Sequence, residues 1–316
     1  MTMFKYALQQ LASGVVTVFF IATATFAAMH AVPGDPLSKG KAITPEVRKN
    51  LEARYGLDQP VTTQYALYMK NMLKGDFGIS FTQANRSVND IIREHFPISA
   101  FLGLFAIAVA AFGGVLWGSL TALYRNQWPD KLIMLAVIFG VSVPSFVVAA
   151  LMQLGVTELN RRFALQLFPV AGWGGLTHAV LPAVALGLGT MSFLTRLMRS
   201  SMLEVVNADY IRTARAKGVS PVGIFFSHQL RNAILPVITV LGPAIAAITT
   251  GGFVVESVFA IPGLGRYFVQ AVQQLDYTVI MGLTVFYGAY LVGMVILVDI
   301  VYALIDPRIK LGKASG

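Results

Sequence analysis

The chain has 316 residues, a length that suits about two domains, yet 56% of its residues are hydrophobic and only 12% charged, about half the charged share of a soluble domain. With a mean hydropathy of +0.67, that composition defines an integral membrane protein. The net charge of +9 is scattered between long apolar runs and forms no continuous basic face, which excludes nucleic acid as a partner.

Cysteine is absent, so there is no disulfide framework and no Cys-based zinc or iron–sulfur site. His30, His95, His178 and His228 include no pair at i, i+3 or i, i+4, which rules out an H-E-x-x-H helix. No resident metal is expected.

Crossing the hydrocarbon core takes about 20 apolar residues, and six runs in the sequence reach that length. The first occupies 6–34, with its apolar heart at 11–29. It is too long for a signal-peptide core and leads into Pro33-Gly34-Asp35-Pro36 rather than a cleavage site, so it reads as a retained anchor. A long polar segment, 31–96, follows, with helical apolar spacing at 46–55 and 61–73. The second run covers 98–124 and the third 132–157, while the fourth lies toward the end of the uncharged stretch 163–195. The fifth is 232–255 and the sixth 277–298. The expected organisation is an N-terminal transmembrane helix at 1–30, a periplasmic insertion at 31–96 and a five-helix core at 97–316 containing a cytoplasmic loop at 196–235.

Six spans place both termini on one side, and the basic residues of the short loops say which. One side carries Lys5, Arg125, Lys131, Arg196, Arg199, Arg212, Arg215, Lys217, Arg231, Arg308, Lys310 and Lys313; the other carries Arg161, Arg162 and Arg266. Twelve against three predicts cytoplasmic termini in a multi-pass protein. Trp117, Trp128, Trp173, Tyr6, Tyr124 and Tyr302 sit near the span ends, as an interfacial aromatic belt does.

ATP chemistry is missing. Gly40-Lys41 lacks the earlier glycine of a P-loop and Gly312-Lys313 is followed by alanine, so this chain does not hydrolyse ATP in the P-loop manner. Gly113-Gly114, Gly187-Leu188-Gly189 and Gly251-Gly252 lie in apolar runs, and Gly114 with Gly118 forms a G-x-x-x-G pair, the pattern of close helix packing. Pro144, Pro182, Pro236 and Pro243 interrupt the spans, each deleting a backbone donor. Of the intramembrane charges, Asp299 is expected to pair with an arginine, and Glu256 to cap or close a gate or else to be solvated at the interface. No buried relay of charges runs along a helix, which argues against a proton-driven secondary transporter.

The stretch 196–231 reads as helix, break, helix. Met202, Val205, Val206, Tyr210, Ile211 and Ala214 recur at near-helical spacing, and Gly218 stops that helix with Arg215 and Lys217 in its last turn. Ser220 and Pro221 read as N-cap and first residue of the next helix. Such an elbow suits docking of a soluble partner or, alternatively, rest on lipid headgroups.

The segment 209–236, with Asp209-Tyr210-Ile211-Arg212-Thr213-Ala214-Arg215-Ala216-Lys217-Gly218 followed by Leu230-Arg231-Asn232-Ala233-Ile234-Leu235-Pro236-Val237, resembles the EAA loop of the oligopeptide, dipeptide and nickel permease family of binding-protein-dependent ABC importers. Further motifs are similar in order along the chain: Pro33-Gly34-Asp35-Pro36, Tyr55 to Pro60, Gly75-Asp76-Phe77-Gly78 with Ser80, Glu256 leading into Phe259 to Arg266, and Asp306-Pro307-Arg308. Arg212-Thr213-Ala214 stand where the broad pattern has Glu-Ala-Ala, a departure the peptide-permease branch shares.

What the resemblance implies is an all-α, six-span type I importer permease that forms half of a translocation pathway for short peptides. Nickel complexes, glutathione or haem are alternative cargoes; a stand-alone channel, a secondary transporter and a structural scaffold are readings of other classes. Implied partners are a related permease subunit, two cytoplasmic ATPases that bind the ATP and magnesium, a periplasmic or lipid-anchored solute-binding protein, and the lipid of a bacterial inner membrane; this chain itself needs no cofactor. Tyr210, Arg212, Thr213, Ala214, Arg215, Ala216, Lys217 and Gly218 would couple to an ATPase, with Gly218 supplying the turn and Ala214 and Ala216 the close approach. Glu256, Phe259, Pro262, Gly263 and Gly265 would form a periplasmic gate or docking loop.

Overall fold

The computed structural model describes residues 3–31, 49, 53, 56–83, 85–164, 168–250 and 252–305. Pro33-Gly34-Asp35-Pro36, Tyr55, all but two residues of the 46–55 stretch, and Asp306-Pro307-Arg308 lie outside the described residues. Among the described residues every regular element is helical, apart from one antiparallel bridge between Ile79 and Ser87.

In chain order the helices are α1 (Met3–Ala31), α2 (Val61–Leu73), α3 (Val88–Leu123), α4 (Trp128–Ser142), α5 (Ser145–Phe163), α6 (Leu176–Val206), α7 (Asp209–Ala216), α8 (Pro221–Ala233), α9 (Leu235–Thr250), α10 (Phe253–Val258), α11 (Leu264–Gln274) and α12 (Tyr277–Ile305). Four of them, α1, α3, α6 and α12, are each long and apolar enough to cross a membrane, and the count reaches six if the bent pairs α4–α5 and α8–α9 are each one span. The third run is thus a helix pair bent by 114°, and the fifth falls mainly on α9, which follows α8 across a 47° bend. Both bends have a proline cause. Pro144 has no N–H, and it and Val143 stand in extended conformation with ψ of 140° and 126°. Pro236, just past the second break, deprives the Asn232 carbonyl of its donor, and the turn before it, Phe225–Leu230, is wound as π-helix.

By Cα proximity the chain forms two compact units, Met1–Ser99 with Pro262–Gly316, and Ala100–Ile261. In the first, α1 packs along α12 through small residues: a Cβ on Gly14 would stand 2.7 Å from Val292, and one on Gly288 the same distance from Ile21. Asp299 on α12 accepts a 2.7 Å hydrogen bond from Gln10 Nε2, and Arg308, a candidate for its expected arginine partner, lies outside the described residues. Phe26 of α1 stacks on Tyr68 and meets Tyr65 edge-on, while Thr23 and His30 hydrogen-bond Tyr65 and Gln64, which fixes α2 along α1. Burial pushes the pKa of the Tyr68 hydroxyl well above the ordinary tyrosine value.

The second unit is organised around α6, whose buried face runs from Ala179 to Met202. The Gly114/Gly118 pair lets α3 lie directly on it: a Cβ at either position would come within 2.5 Å of the Leu194 or Met198 Cβ. On its other side α4 is tied by Arg199, which donates to Asp130 through Nε (3.0 Å) and Nη2 (2.8 Å), while the Asn126 N–H donates to the same carboxylate at 2.9 Å. Asp130 is buried and its charge is matched by a fork-shaped donor, the geometry in which a buried ion pair holds its place.

The helix that carries the fourth run does not end where the run ends. Helix α6 continues through Arg196, Arg199 and Glu204 to Val206, so Met202, Val205 and Val206 belong to it and only Tyr210, Ile211 and Ala214 to the next helix. The break falls at Asn207-Ala208, where the Asn207 side chain donates back to the Leu203 carbonyl at 2.9 Å.

Gly114→Leu is expected to destabilise the chain by about 1–3 kcal/mol, the cost of overpacking a filled contact, whereas Gly155→Leu, where a Cβ meets nothing within 4 Å, should be near neutral. Thermal denaturation of the two variants in detergent compares them directly.

Candidate functional site

The α7–α8 elbow is a rigid corner. Helix α7 ends in a Schellman motif: the Gly218 N–H donates to the Arg215 carbonyl at 3.0 Å and the Val219 N–H to the Ala214 carbonyl at 3.2 Å. That wrap requires a left-handed residue, and Gly218 supplies it with φ of +76°. Nothing lies within 4 Å of where its Cβ would be, so the glycine is needed for backbone conformation and not for close approach. Two residues on, Ser220 Oγ accepts from the Gly223 N–H at 3.2 Å and Pro221 fills the first helical position, starting α8 as the Ser-Pro pair predicts.

Inside the corner Ile211, Ala214 and Ile224 form a small core with Val205 and Ala208 packed against it. Ala214 therefore packs within the elbow itself, while Ala216 is exposed. Facing outward are Arg212, Thr213, Arg215, Ala216, Lys217 and Gly218, together with the large apolar side chains Tyr210, Val219 and Val222 at 45%, 38% and 67% exposure. Arg212 is tied only loosely to Asp209, at 3.6 Å between highly exposed groups, a pairing of little energy. The outer face thus combines exposed apolar surface with three cations on a backbone that cannot flex freely.

The residues from Glu256 to Gly265 fall in two settings. In the second unit, Glu256 on α10 is 2% exposed, which overturns interfacial solvation as its role. Its N–H donates to the Gly252 carbonyl and its carbonyl accepts from the Ile261 N–H, both at 2.8 Å. Phe259 is fully buried and its carbonyl accepts from the Gly172 N–H at 2.8 Å, while Gln153 Nε2 donates to the carbonyls of Val170 and Val258. In the first unit, the Pro262 carbonyl lies 2.8 Å from His95 Nδ1, Gly263 caps α11 and Gly265 is buried in its first turn, and the Leu264 N–H donates to Ser99 Oγ at 2.8 Å. His95 stacks on Tyr267 with ring centroids 4.2 Å apart. Each segment of the loop is pinned by hydrogen bonds to its own unit, so it is not a solvated surface turn. The amphipathic helix α11 was not evident in the sequence, where this stretch reads only as a loop between spans.

Asp276 is the buried group that sequence reasoning missed. It is 1% exposed and caps α12, accepting from the Val279 N–H at 3.3 Å. The same carboxylate accepts from the backbone N–H groups of Phe81 and Thr82, both at 3.2 Å, from Thr82 Oγ1 at 2.8 Å, and from Ser80 Oγ. The Gly75-Asp76-Phe77-Gly78 motif shapes the approach: Asp76 accepts from the Gly78 N–H at 2.9 Å and Asn89 from the Phe77 N–H at 3.0 Å. The only local signal was an acidic residue directly before the last apolar run, the ordinary signature of an N-cap. Nearby, the Glu94 carboxylate raises the pKa of the Arg86 guanidinium that it hydrogen-bonds.

No group of His, Asp or Glu among the described residues is arranged to hold a metal ion. What this geometry defines is a multi-pass helical membrane protein carrying an exposed, conformationally fixed elbow. Two family profiles match it: "Binding-prot-dependent transport system membrane comp, N-term" over residues 3–103, and "Binding-protein-dependent transport system inner membrane component" over residues 114–311. Dipeptide transport system permease protein DppB of Bacillus subtilis is 46% identical over 98% of this chain and 99% of its own length. Oligopeptide transport system permease protein OppB is 42% identical in Haemophilus influenzae and 39% in Escherichia coli K12, in each case over 98% of this chain and the whole of the relative. A solved amino acid ABC transporter aligns with 70% of this chain and 94% of its own at TM-score 0.49 and 14% identity, and the assignment rests on the sequence matches. The chain belongs to the inner membrane components of binding-protein-dependent transport systems, and is a permease subunit with no catalytic role of its own.

Replacing Asp276 by alanine should strand several buried donors and cost about 3 kcal/mol, with Asp276→Asn intermediate. The expected readout is faster tryptic cleavage at Arg86 in membranes, since the loop bearing it loses its anchor.

Proposed function

We propose that this chain is one of two permease subunits of an ATP-driven importer of short peptides, with the elbow seated in a cleft of a cytoplasmic ATPase. The observation that carries the peptide reading is end-to-end similarity to relatives named as dipeptide and oligopeptide permeases, 46% identical in the first case. No residue of the elbow or of the pinned loop selects nickel complexes, glutathione or haem, and family membership disfavours a stand-alone channel or secondary transporter.

The elbow supports the coupling role by its construction. Tyr210, Val219 and Val222 offer apolar area to a partner, while Arg212, Arg215 and Lys217 offer charge around it. The capped corner lets a push on this face reach α6 and α8 instead of being absorbed by a flexible loop. The partners are a related permease, two ATP-binding subunits and a periplasmic or lipid-anchored binding protein. Both termini are cytoplasmic in this reading, which the excess of basic residues in the short loops of that side supports. The pinned segment from Glu256 through Phe259, Pro262 and Gly263 to Gly265 then faces the periplasm, where it closes the pathway or meets the binding protein, and the 31–96 insertion joins in that docking.

The test is uptake of labelled tri- to pentapeptides in cells lacking the chain and complemented with variants at Gly218. Gly218→Asn should retain most uptake because asparagine tolerates left-handed backbone, and Gly218→Ala should lose part of it, in line with a strain of about 1–2 kcal/mol. Gly218→Val and Gly218→Trp should abolish uptake while the chain remains in the membrane. Uptake indifferent to this series would remove the elbow from the coupling path; unchanged peptide uptake in cells lacking the chain, with no second peptide system present, would remove peptides as the cargo.

A further inference from the structure

The α4–α5 bend interrupts the apolar run 132–157, and a helix broken inside hydrocarbon leaves polar backbone where lipid offers no partner. In a continuous helix the Gly140 carbonyl would accept from residue 144 and the Val141 carbonyl from residue 145. Residue 144 is a proline without an N–H, and Ser145 opens a helix on an axis turned by 114°. Among the described residues no backbone hydrogen bond reaches either carbonyl. Bare carbonyls cannot face hydrocarbon, and broken helices inside membranes are confined to places buried in protein or lining water.

A cavity of about 360 Å³ lies at this break, walled mostly by aliphatic side chains of α4, α5 and α6, with Gly140, Ser145, Gly189 and Thr190 set among them. No charged or imidazole side chain lines it. A metal chelate or haem would call for carboxylate, imidazole or cationic groups, and none is there. The wall offers carbonyl and hydroxyl acceptors at glycines that let another backbone come close. Those features suit a ligand whose donors repeat irrespective of side chain, which is an extended peptide main chain.

We propose that the cavity at the α4–α5 break is a water-filled stretch of the translocation pathway, in which the Gly140 and Val141 carbonyls and the Ser145 and Thr190 hydroxyls receive the main-chain N–H groups of a passing peptide. This rests on the peptide-importer reading above. Recognition through the backbone gives the permease no preference for peptide sequence and leaves selection to the binding protein.

The chain contains no cysteine, so an introduced thiol is the single one in this subunit and is read on its own band. Ser145→Cys and Thr190→Cys would be placed in the complete transporter in membranes, with Leu154→Cys, at an exposed position on α5, as the comparison. A charged, membrane-impermeant thiol reagent should modify the two cavity thiols at least tenfold faster than the comparison thiol. Tripeptide-loaded binding protein with ATP should slow that modification severalfold. Cavity thiols no faster than the Leu154→Cys thiol would overturn the proposal and mark the break as covered by the partner permease. Fast modification that peptide leaves unchanged, in a complex that imports peptide, would overturn it as well. Failure of the peptide reading itself shows separately, as a native complex that takes up no peptide; fast modification in that case would leave the cavity open to water and refute its peptide occupant.

Discussion

Hydrocarbon offers no hydrogen bonds, so every backbone N–H and C=O inside it must be satisfied by the protein or by enclosed water. The architecture follows that constraint. Long helices carry most of the chain, and where they meet they do so through glycines, which bring backbones together without needing polar groups between them. At Gly114 and Gly118 the contact is so close that no Cβ fits, and the same device joins α1 to α12. Departures from helix become informative under the same constraint, because each must be matched by shelter. The bend at Pro144 has a cavity beside it, and the segments from Gly252 to Leu264 have a hydrogen-bond partner for most of their polar backbone.

The elbow obeys a different logic, that of an exposed corner that must hold its shape without burial. Its apolar core is only Ile211, Ala214 and Ile224 with two neighbours, too little to fix an angle alone. The angle is held by local hydrogen bonds: two close the end of α7 and one from Ser220 starts α8. Local bonds of this type leave the outer face unencumbered, since none of the outward-pointing side chains is needed to maintain the fold. A surface whose residues are not spent internally is free to be specified by a partner.

Much of this was readable from sequence because it is encoded locally. The apolar runs located the four long helices and the two bent pairs, Gly218 the helix stop, and Ser220-Pro221 the next start. The misreadings arose where local and tertiary signals diverge. Helix α6 outlasts its apolar run because helix propensity continues through Arg196 and Arg199 after hydrophobicity has stopped, so Asn207 and not the first arginine marks the helix end. Pro144 was recognised as an interruption, but its 114° consequence depends on how α4 and α5 separately pack against α6. Asp276 and Ser80 are separated by 196 residues, and Gln10 and Asp299 by 289; no periodicity reports pairings of that range.

Those long separations bear on biogenesis. Ribosomes deliver the first helix and the Gly75–Ser80 loop long before α12 exists, so neither the α1–α12 contact nor the Asp276 anchor is available to the nascent chain. Until α12 is inserted, the polar groups of Ser80, Phe81 and Thr82 have no carboxylate to receive them, and the Gly14 surface of α1 has no counterpart. Completion of the first unit therefore waits on α12. A chain that stalls before it presents an unanchored loop and an unmatched small-residue stripe, exposed surface of the kind that favours misassembly.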